Sequence, residues 1–325
     1  MVNILSYELN YAKSLGKRTL DNGTKIPYFS LEKEIKQNQE DIYSAIKEVV
    51  SKVLPEQRKK TALFVGTSLV DWYLVDAINA CAYEKKEPYK SKKRSIDSYA
   101  KDLAIEFGLS SFTMTINTAC TSSANALLEA KNLINAGIVE YAIVVGIEVY
   151  SPVMSSGFAG MELLSKTKPK PFAQDRDGLV LGEGVGAILL GKDKSSWELL
   201  GGFSNCNSQT ITSVSSSGEE CVEVMQKSLE NCALHVKDIT AIKAHATGSQ
   251  ANDEAEMNAI KKVFKNEPKI MTFKQHIGHT IGASGVLEIG YLMDRASMGT
   301  YMCNYFGFGG NNTSIIVRRH DEIIS

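Results

Sequence analysis

Residues 141–148, Tyr-Ala-Ile-Val-Val-Gly-Ile-Glu, are apolar without the in-and-out alternation of a half-exposed strand. A strand of that kind is buried on both faces, so its sheet needs helices above and below it. The run 179–191 (LVLGEGVGAILLG) reads the same way, as does the shorter run 62–65 closed by Gly66. Helical patterns lie between these strands. Residues 40–50 carry apolar side chains at helical spacing, a helix is expected at about 97–107, and TSSANALLEAKNLINAG follows Cys120 with Gly137 placed as a C-cap.

The second half repeats the alternation: a helix over 222–235, a strand over 239–245, a helix over 253–264, a strand over 269–274, a helix over 281–296, and a closing strand TSIIVR. The segment MSSGFAGMELLSK reads as helix or loop, and the first sixty residues as polar turns and helices. Strand–helix alternation in both halves predicts an α/β fold with buried sheets. We divide it into a half at 1–191 and a half at 192–325.

With 36 Lys+Arg, 37 Asp+Glu and a net charge of −1, the chain offers no reason to expect nucleic acid or a membrane surface as partner. The start lacks the order of a signal peptide, and no run approaches the length of a membrane span. None of the six cysteines (Cys81, Cys120, Cys206, Cys221, Cys232, Cys303) forms a C-x-x-C pair. The expectation is a cytoplasmic protein with reduced thiols and no structural zinc.

Four motifs can carry chemistry. In TACTSS, Cys120 lies between a predicted strand and a predicted helix, where the helix dipole and backbone N–H groups favour thiolate, and small neighbours leave room for a substrate. In AHATGS, His245 ends a strand at the mouth of a sheet. KQHIGHTIGASG combines Lys274, His276 and His279 with glycines that allow close packing; it fits neither phosphate-loop pattern, and its histidines lack companion metal ligands. FGFGGNN is a tight turn able to present a backbone N–H to a reacting oxygen. Taken singly, Cys120 is more commonly a buried structural cysteine, His245 a capped or core histidine, and FGFGGNN reads equally as a strand-connecting turn.

Taken in order, the motifs resemble the Cys-His-His β-ketoacyl-acyl carrier protein synthases of the thiolase superfamily. The matching segments are TACTSSANALLEA, GIEVYSP, PFAQDRDGLVLGEGVGAILL, AHATGSQANDEAE, KQHIGHTIGASGVLE and NYFGFGGNN. The resemblance implies a thiolase-like fold, two pseudo-repeated halves forming a five-layered αβαβα sandwich. It also implies decarboxylative Claisen condensation in fatty acid, polyene or polyketide synthesis. Cys120 would accept the acyl chain. His245 and His279 would assist decarboxylation of the malonyl unit and stabilise its enolate. Lys274 would order the site with Glu288 as partner. The N–H groups of Cys120 and Phe308 would form the oxyanion hole, with Phe308 as gate. No metal or cofactor is implied. The expected partners are acyl- and malonyl-loaded acyl carrier protein and a second synthase-like subunit, identical or not.

Several features depart from the family pattern. The chain is short, its start lacks the usual first strand, and the stretch from His279 to Phe308 is abbreviated. Ala246 replaces a glycine, Asn311 a threonine and Tyr305 a serine. These departures sustain one alternative, a non-catalytic subunit of the chain-length-factor kind, against which the retained Cys120, His245, Lys274 and His279 argue. A thiolase would need a cysteine in the C-terminal glycine motif, and a starter-type synthase an asparagine at His279. The basic stretch Lys85, Lys86, Lys90, Lys92, Lys93 and Arg94 reads as a solvated loop, with attraction of an acidic carrier protein as a second possibility.

Overall fold

The computed structural model describes residues 1–20, 22–69, 95–206, 217–266 and 268–324. Cys81 and the basic stretch 84–94 lie outside the described residues. Thirteen described strands are β1 (Asn3–Tyr11), β2 (Gly16–Thr19), β3 (Lys25–Phe29), β4 (Thr61–Gly66), β5 (Thr113–Ile116), β6 (Tyr141–Glu148), β7 (Leu181–Gly182), β8 (Gly184–Gly191), β9 (Ser195–Cys206), β10 (Ala241–Lys243), β11 (Lys269–Met271), β12 (Gly299–Phe306) and β13 (Asn311–Ile324). The α-helices are α1 (Gln39–Lys52), α2 (Ser98–Phe107), α3 (Ser122–Asn135), α4 (Pro152–Gly160), α5 (Glu219–Asn231), α6 (Gln250–Val263), α7 (Lys274–Ile277) and α8 (Ser284–Met293).

Ten strands join in the order β11-β10-β12-β13-β9-β1-β8-β6-β4-β5. The sequence β5-β4-β6-β8-β1 is matched by β11-β10-β12-β13-β9. In each, the first three strands are parallel and the last two antiparallel. Between β1 and β9 the only register pair is Asn3 with Glu198.

Burial divides the molecule into layers. On β6, Ala142 and Val144 face a core shared with α3 and α8, while Ile143, Val145 and Ile147 face a core shared with α1 and α2. On β12, Tyr301 and Cys303 face the α3/α8 core, while Met302 and Phe306 face one shared with α5 and α6. The central helices α3 and α8 are therefore covered by strands on both sides, giving the αβαβα order of a thiolase-like sandwich. Each fully buried Val, Leu, Ile or Phe contributes about 1.5–3 kcal/mol relative to exposure, so these cores dominate the fold. Two glycines set how closely the middle layer approaches. A Cβ on Gly285 of α8 would lie 2.2 Å from the Ala124 nitrogen of α3, and one on Gly66 would lie 2.3 Å from Ser123 Cα.

The N-terminal segment corrects the sequence reading. Residues 3–29 form three strands rather than turns and helices, and β1 supplies the first strand that the family comparison leaves missing. It pairs with β8 along Asn3↔Gly191 to Tyr11↔Gly184. The half-buried, polar-rich sequence NILSYELNY hides this strand, because its burial comes from its neighbours rather than its composition. The strand expected over 269–274 stops at Met271, and Lys274 opens a short helix instead. β9 at 195–206 is an element the sequence reading omits.

Candidate active site

Cys120 sits between β5 and α3 on a turn whose preceding residue, Ala119, is held at φ +53°. A non-glycine residue there is strained by about 1–3 kcal/mol, a conformation that recurs at functional turns. The Ser122 hydroxyl clamps this turn. It accepts from the Thr118 N–H at 2.9 Å and donates to the Ala119 carbonyl at 2.6 Å. The close approach at Gly66 fixes the start of α3 beneath it.

The thiol is 4 % exposed, in an apolar cluster with Leu20, Ile26, Tyr28, Phe158, Leu181 and Ile281, with Phe308 packed against it. Two sequence expectations change here. The small residues beside Cys120 do not leave it open. Nor does the helix start make it a thiolate, because burial pushes the thiol up to about 11. The backbone N–H groups of Phe308 and Cys120 and the charge of Lys274 pull the other way without overcoming the desolvation.

His279 follows Gly278 (φ +73°) and is pinned by its backbone between Val180 and Gly182: its N–H donates to Val180 O at 2.7 Å, and its carbonyl accepts from Gly182 N at 3.1 Å. Its Nε2 lies 3.2 Å from Cys120 Sγ, and its Nδ1 lies 3.5 Å from Ser284 Oγ. His245 stands just beyond β10, its ring centroid 5.3 Å from that of His279 at 86°. The N–H groups of His245 and Ala246 both donate to Glu256 at 2.8 Å, which fixes the bend. Ala246, in the place of a glycine, holds φ +47°, so the alanine adopts the left-handed conformation that glycine would adopt more cheaply.

Lys274 donates to Glu288 at 2.5 Å and lies 3.4 Å from His245 Nδ1. The ammonium has no lone pair, so Nδ1 is the acceptor and neutral His245 carries its proton on Nε2. That Nε2 is buried without a partner. Burial, together with the positive charge of Lys274, drives both histidines well below the ordinary imidazole range, so both are neutral at pH 7.

The structure thus brings Cys120, His245 and His279 together, with Sγ and one ring nitrogen of each histidine all within 4.8 Å of one another. Lys274 and Glu288 stand behind His245, and Phe308 lies over the thiol, edge-on to Phe158 with centroids 5.8 Å apart. His276 is exposed and stacks on Tyr291, away from the site. A dication among the three would face Lys274, an arrangement that favours developing negative charge over a metal ion.

Four buried polar groups escaped the sequence reading. Lys243 donates to Glu288. Glu256 carries the His245 bend. Asp253 accepts from Phe172 N at 2.7 Å and Gly248 N at 3.1 Å. Glu148 accepts on one oxygen from Ser68 N, Ser68 Oγ and Gly282 N, which tie β6 to the turn after His279, while its other oxygen has no partner. Asp253 and Glu256 had a signal, two acids three apart on a predicted helix just after the histidine motif.

Family models of the β-ketoacyl synthases match the chain, the N-terminal domain at residues 42–196 and the C-terminal domain at 198–294. The chloroplastic 3-oxoacyl-[acyl-carrier-protein] synthase I of Arabidopsis thaliana is 34% identical over 203 residues, covering 57% of this chain and 43% of that protein. The chloroplastic synthase II of the same plant is 27% identical over 320 residues, covering 82% and 59%. The alignments thus span about half the length of these relatives. Among solved structures, a β-ketoacyl synthase from Burkholderia phymatum STM815 superposes with a TM-score of 0.85 at 20% identity, covering 98% of this chain and 99% of that one. The ketosynthase ApeO in complex with its chain length factor ApeC, from Xenorhabdus doucetiae, gives a TM-score of 0.82 at 22% identity, covering 98% of each chain. At such identity these two establish the fold.

Proposed function

The chain belongs to the β-ketoacyl synthase family, and on that premise we propose that it joins an acyl group held on Cys120 to a malonyl unit by decarboxylative Claisen condensation. The observation that carries the reading is the buried, unpartnered Nε2–H of His245, on a ring that lies 5.3 Å from that of His279 and groups with it and Cys120. A buried donor without an acceptor is costly, and a substrate enolate is the acceptor this site lacks.

In the first half-reaction the Cys120 proton passes to His279 Nε2 as sulfur attacks the acyl thioester. The tetrahedral oxyanion lies against the N–H groups of Cys120 and Phe308, and the departing carrier thiol takes the proton back. In the second, the malonyl thioester loses carbon dioxide. Its enolate oxygen is held by His245 Nε2–H with His279 alongside, and the enolate carbon attacks the Cys120 thioester, releasing the thiolate. Lys274, braced by Glu288, keeps the His245 proton on Nε2. Phe308 opens the thiol to the acyl chain.

The acyl donor is read as an acyl carrier protein, the carrier for which the related synthases are named. The halves 1–191 and 192–325 are read as a duplicated unit, which the matching strand orders support. A second synthase-like subunit, identical or not, is expected as partner. The described cysteines are free, which suits a reducing, cytoplasmic setting; no described helix is long and apolar enough to cross a membrane.

Intact-mass measurement after incubation with acyl-carrier thioesters tests the first half-reaction. The wild type is expected to gain the acyl mass and Cys120→Ala to gain nothing. Absence of acylation with every thioester, alone and with candidate partner subunits, would favour a non-catalytic subunit.

A further inference from the structure

Lys243 is fully buried on β10, two residues before His245. Its Nζ has three acceptors. It donates to Glu288 Oε2 and to the Asn304 carbonyl at 2.7 Å, and it lies 3.6 Å from the centroid of the Tyr305 ring. Burial pulls the Lys243 amine below its ordinary value and Glu288 pulls it back up; three acceptors, one of them an aromatic face, are the surroundings of an ammonium rather than a neutral amine. Tyr305 stands where the family commonly has serine, so the ring under this cation is a feature of this chain.

Glu288 is therefore shared, with Oε2 on Lys243 and Oε1 on Lys274. Were Lys243 absent, both oxygens would be free to take Lys274 and cancel its charge. We propose that Lys243 is a positioning residue that divides Glu288 between two lysines, leaving a net positive charge behind His245. The catalytic consequence rests on the condensation reading; the charge arrangement does not. The added cation favours the enolate over the neutral ground state, and it opposes protonation of His245. Both buried histidines are held below the ordinary imidazole range, with desolvation the main cause and Lys274 and Lys243 adding to it.

The titratable and charged groups around His245 are Lys243 on its own strand, Glu256 on α6, Lys274 on α7, His279 and Cys120 on the two turns, Glu288 on α8 and Cys303 on β12. Of the carboxylates, Glu256 is occupied by backbone N–H groups and Glu288 by the two lysines. Removing Lys243 should thus raise the His245 titration, and neutralising Glu288 as well should bring it back down.

The test is ring-nitrogen NMR titration of His245 and His279 in wild type, Lys243→Met and Lys243→Met/Glu288→Gln, with Lys243→Gln replacing Lys243→Met should the latter not fold. The expected result is a His245 midpoint that moves up in the single variant and returns toward wild type in the double variant. A packing role alone would not reverse when a second core residue is changed. Unmoved midpoints, or a double variant displaced further than the single one, overturn the proposal. If the condensation reading also holds, malonyl decarboxylation falls roughly tenfold to a hundredfold in Lys243→Met, while the midpoints stand even if no thioester is ever turned over.

Discussion

Lys274 Nζ lies 3.4 Å from Nδ1 of His245, and this contact decides which nitrogen of the imidazole faces the reaction. With Nδ1 occupied, the only ring proton of the neutral histidine points from Nε2 into the site.

Replacing His245 separates the two half-reactions. In His245→Ala, acylation of Cys120 is expected to continue, because His279 alone touches the thiol. Malonyl decarboxylation is expected to fall about 10²–10³-fold, the usual effect of losing one donor to a developing oxyanion. Single-turnover acylation by mass and carbon dioxide release by a coupled assay measure the two separately. Equal losses in both would remove the division of labour.

The thiol and His279 give a pH prediction. Burial holds the Cys120 thiol up at about 11 and the imidazole low, so at pH 7 the pair is thiol plus neutral base. Alkylation by iodoacetamide should proceed at neutral pH through proton transfer to Nε2. In His279→Ala it should drop about 10²–10⁴-fold at pH 7 and recover only at strongly alkaline pH. Initial rates from about pH 6 to just above the thiol's own value of about 11, followed by mass spectrometry, check this.

Glu148 links stability to pH. Its carboxyl is pushed up to about 7 by burial, against an ordinary 4.5. A carboxyl whose folded value is raised binds its proton more tightly folded than unfolded. Its stabilising contribution is complete below about pH 4.5 and is lost as pH rises through about 7. The neutral isostere Glu148→Gln avoids that loss. Relative to wild type, the variant should gain stability from pH 5 to pH 8 by at most about 3 kcal/mol. Urea unfolding at the two pH values measures the difference; a constant difference refutes it.

Gly285→Ala tests the middle layer. The new Cβ meets the Ala124 backbone at 2.2 Å, so α3 and α8 must part. Overpacking of this kind costs about 1–3 kcal/mol, and because the Cys120 turn leads directly into α3 the acylation rate should fall with it. Denaturation midpoints unchanged from wild type would contradict the layer contact.

Much of the fold was legible because burial and sequence agree where strands are wholly apolar. β6 occupies the span its sequence announces, 141–148. The N-terminal strands were not, although the β2–β3 hairpin carried a signal in Asn22-Gly23, with Gly23 at φ +82° and the Asn22 side chain accepting from Thr24 N. The motifs around Cys120, His245, Lys274 and His279 were visible because each breaks the pattern of its element. Lys243 and Glu148 were not, since a charged residue at the end of an apolar strand looks like the point where the strand leaves the core. Only the approach of α7, α8 and the His279 turn shows that both are buried. The Cys120 ionisation was misjudged for a related reason: a helix start is visible in sequence, but the apolar cluster around the thiol is assembled from distant segments.

The central claim is most directly tested by mixing protein pre-acylated on Cys120 with malonyl-acyl carrier protein, alone and with candidate synthase-like subunits, and measuring carbon dioxide and the carrier-bound product together. Matching amounts of carbon dioxide and β-ketoacyl product, abolished in Cys120→Ala, are the predicted result. Neither product under any pairing would contradict it.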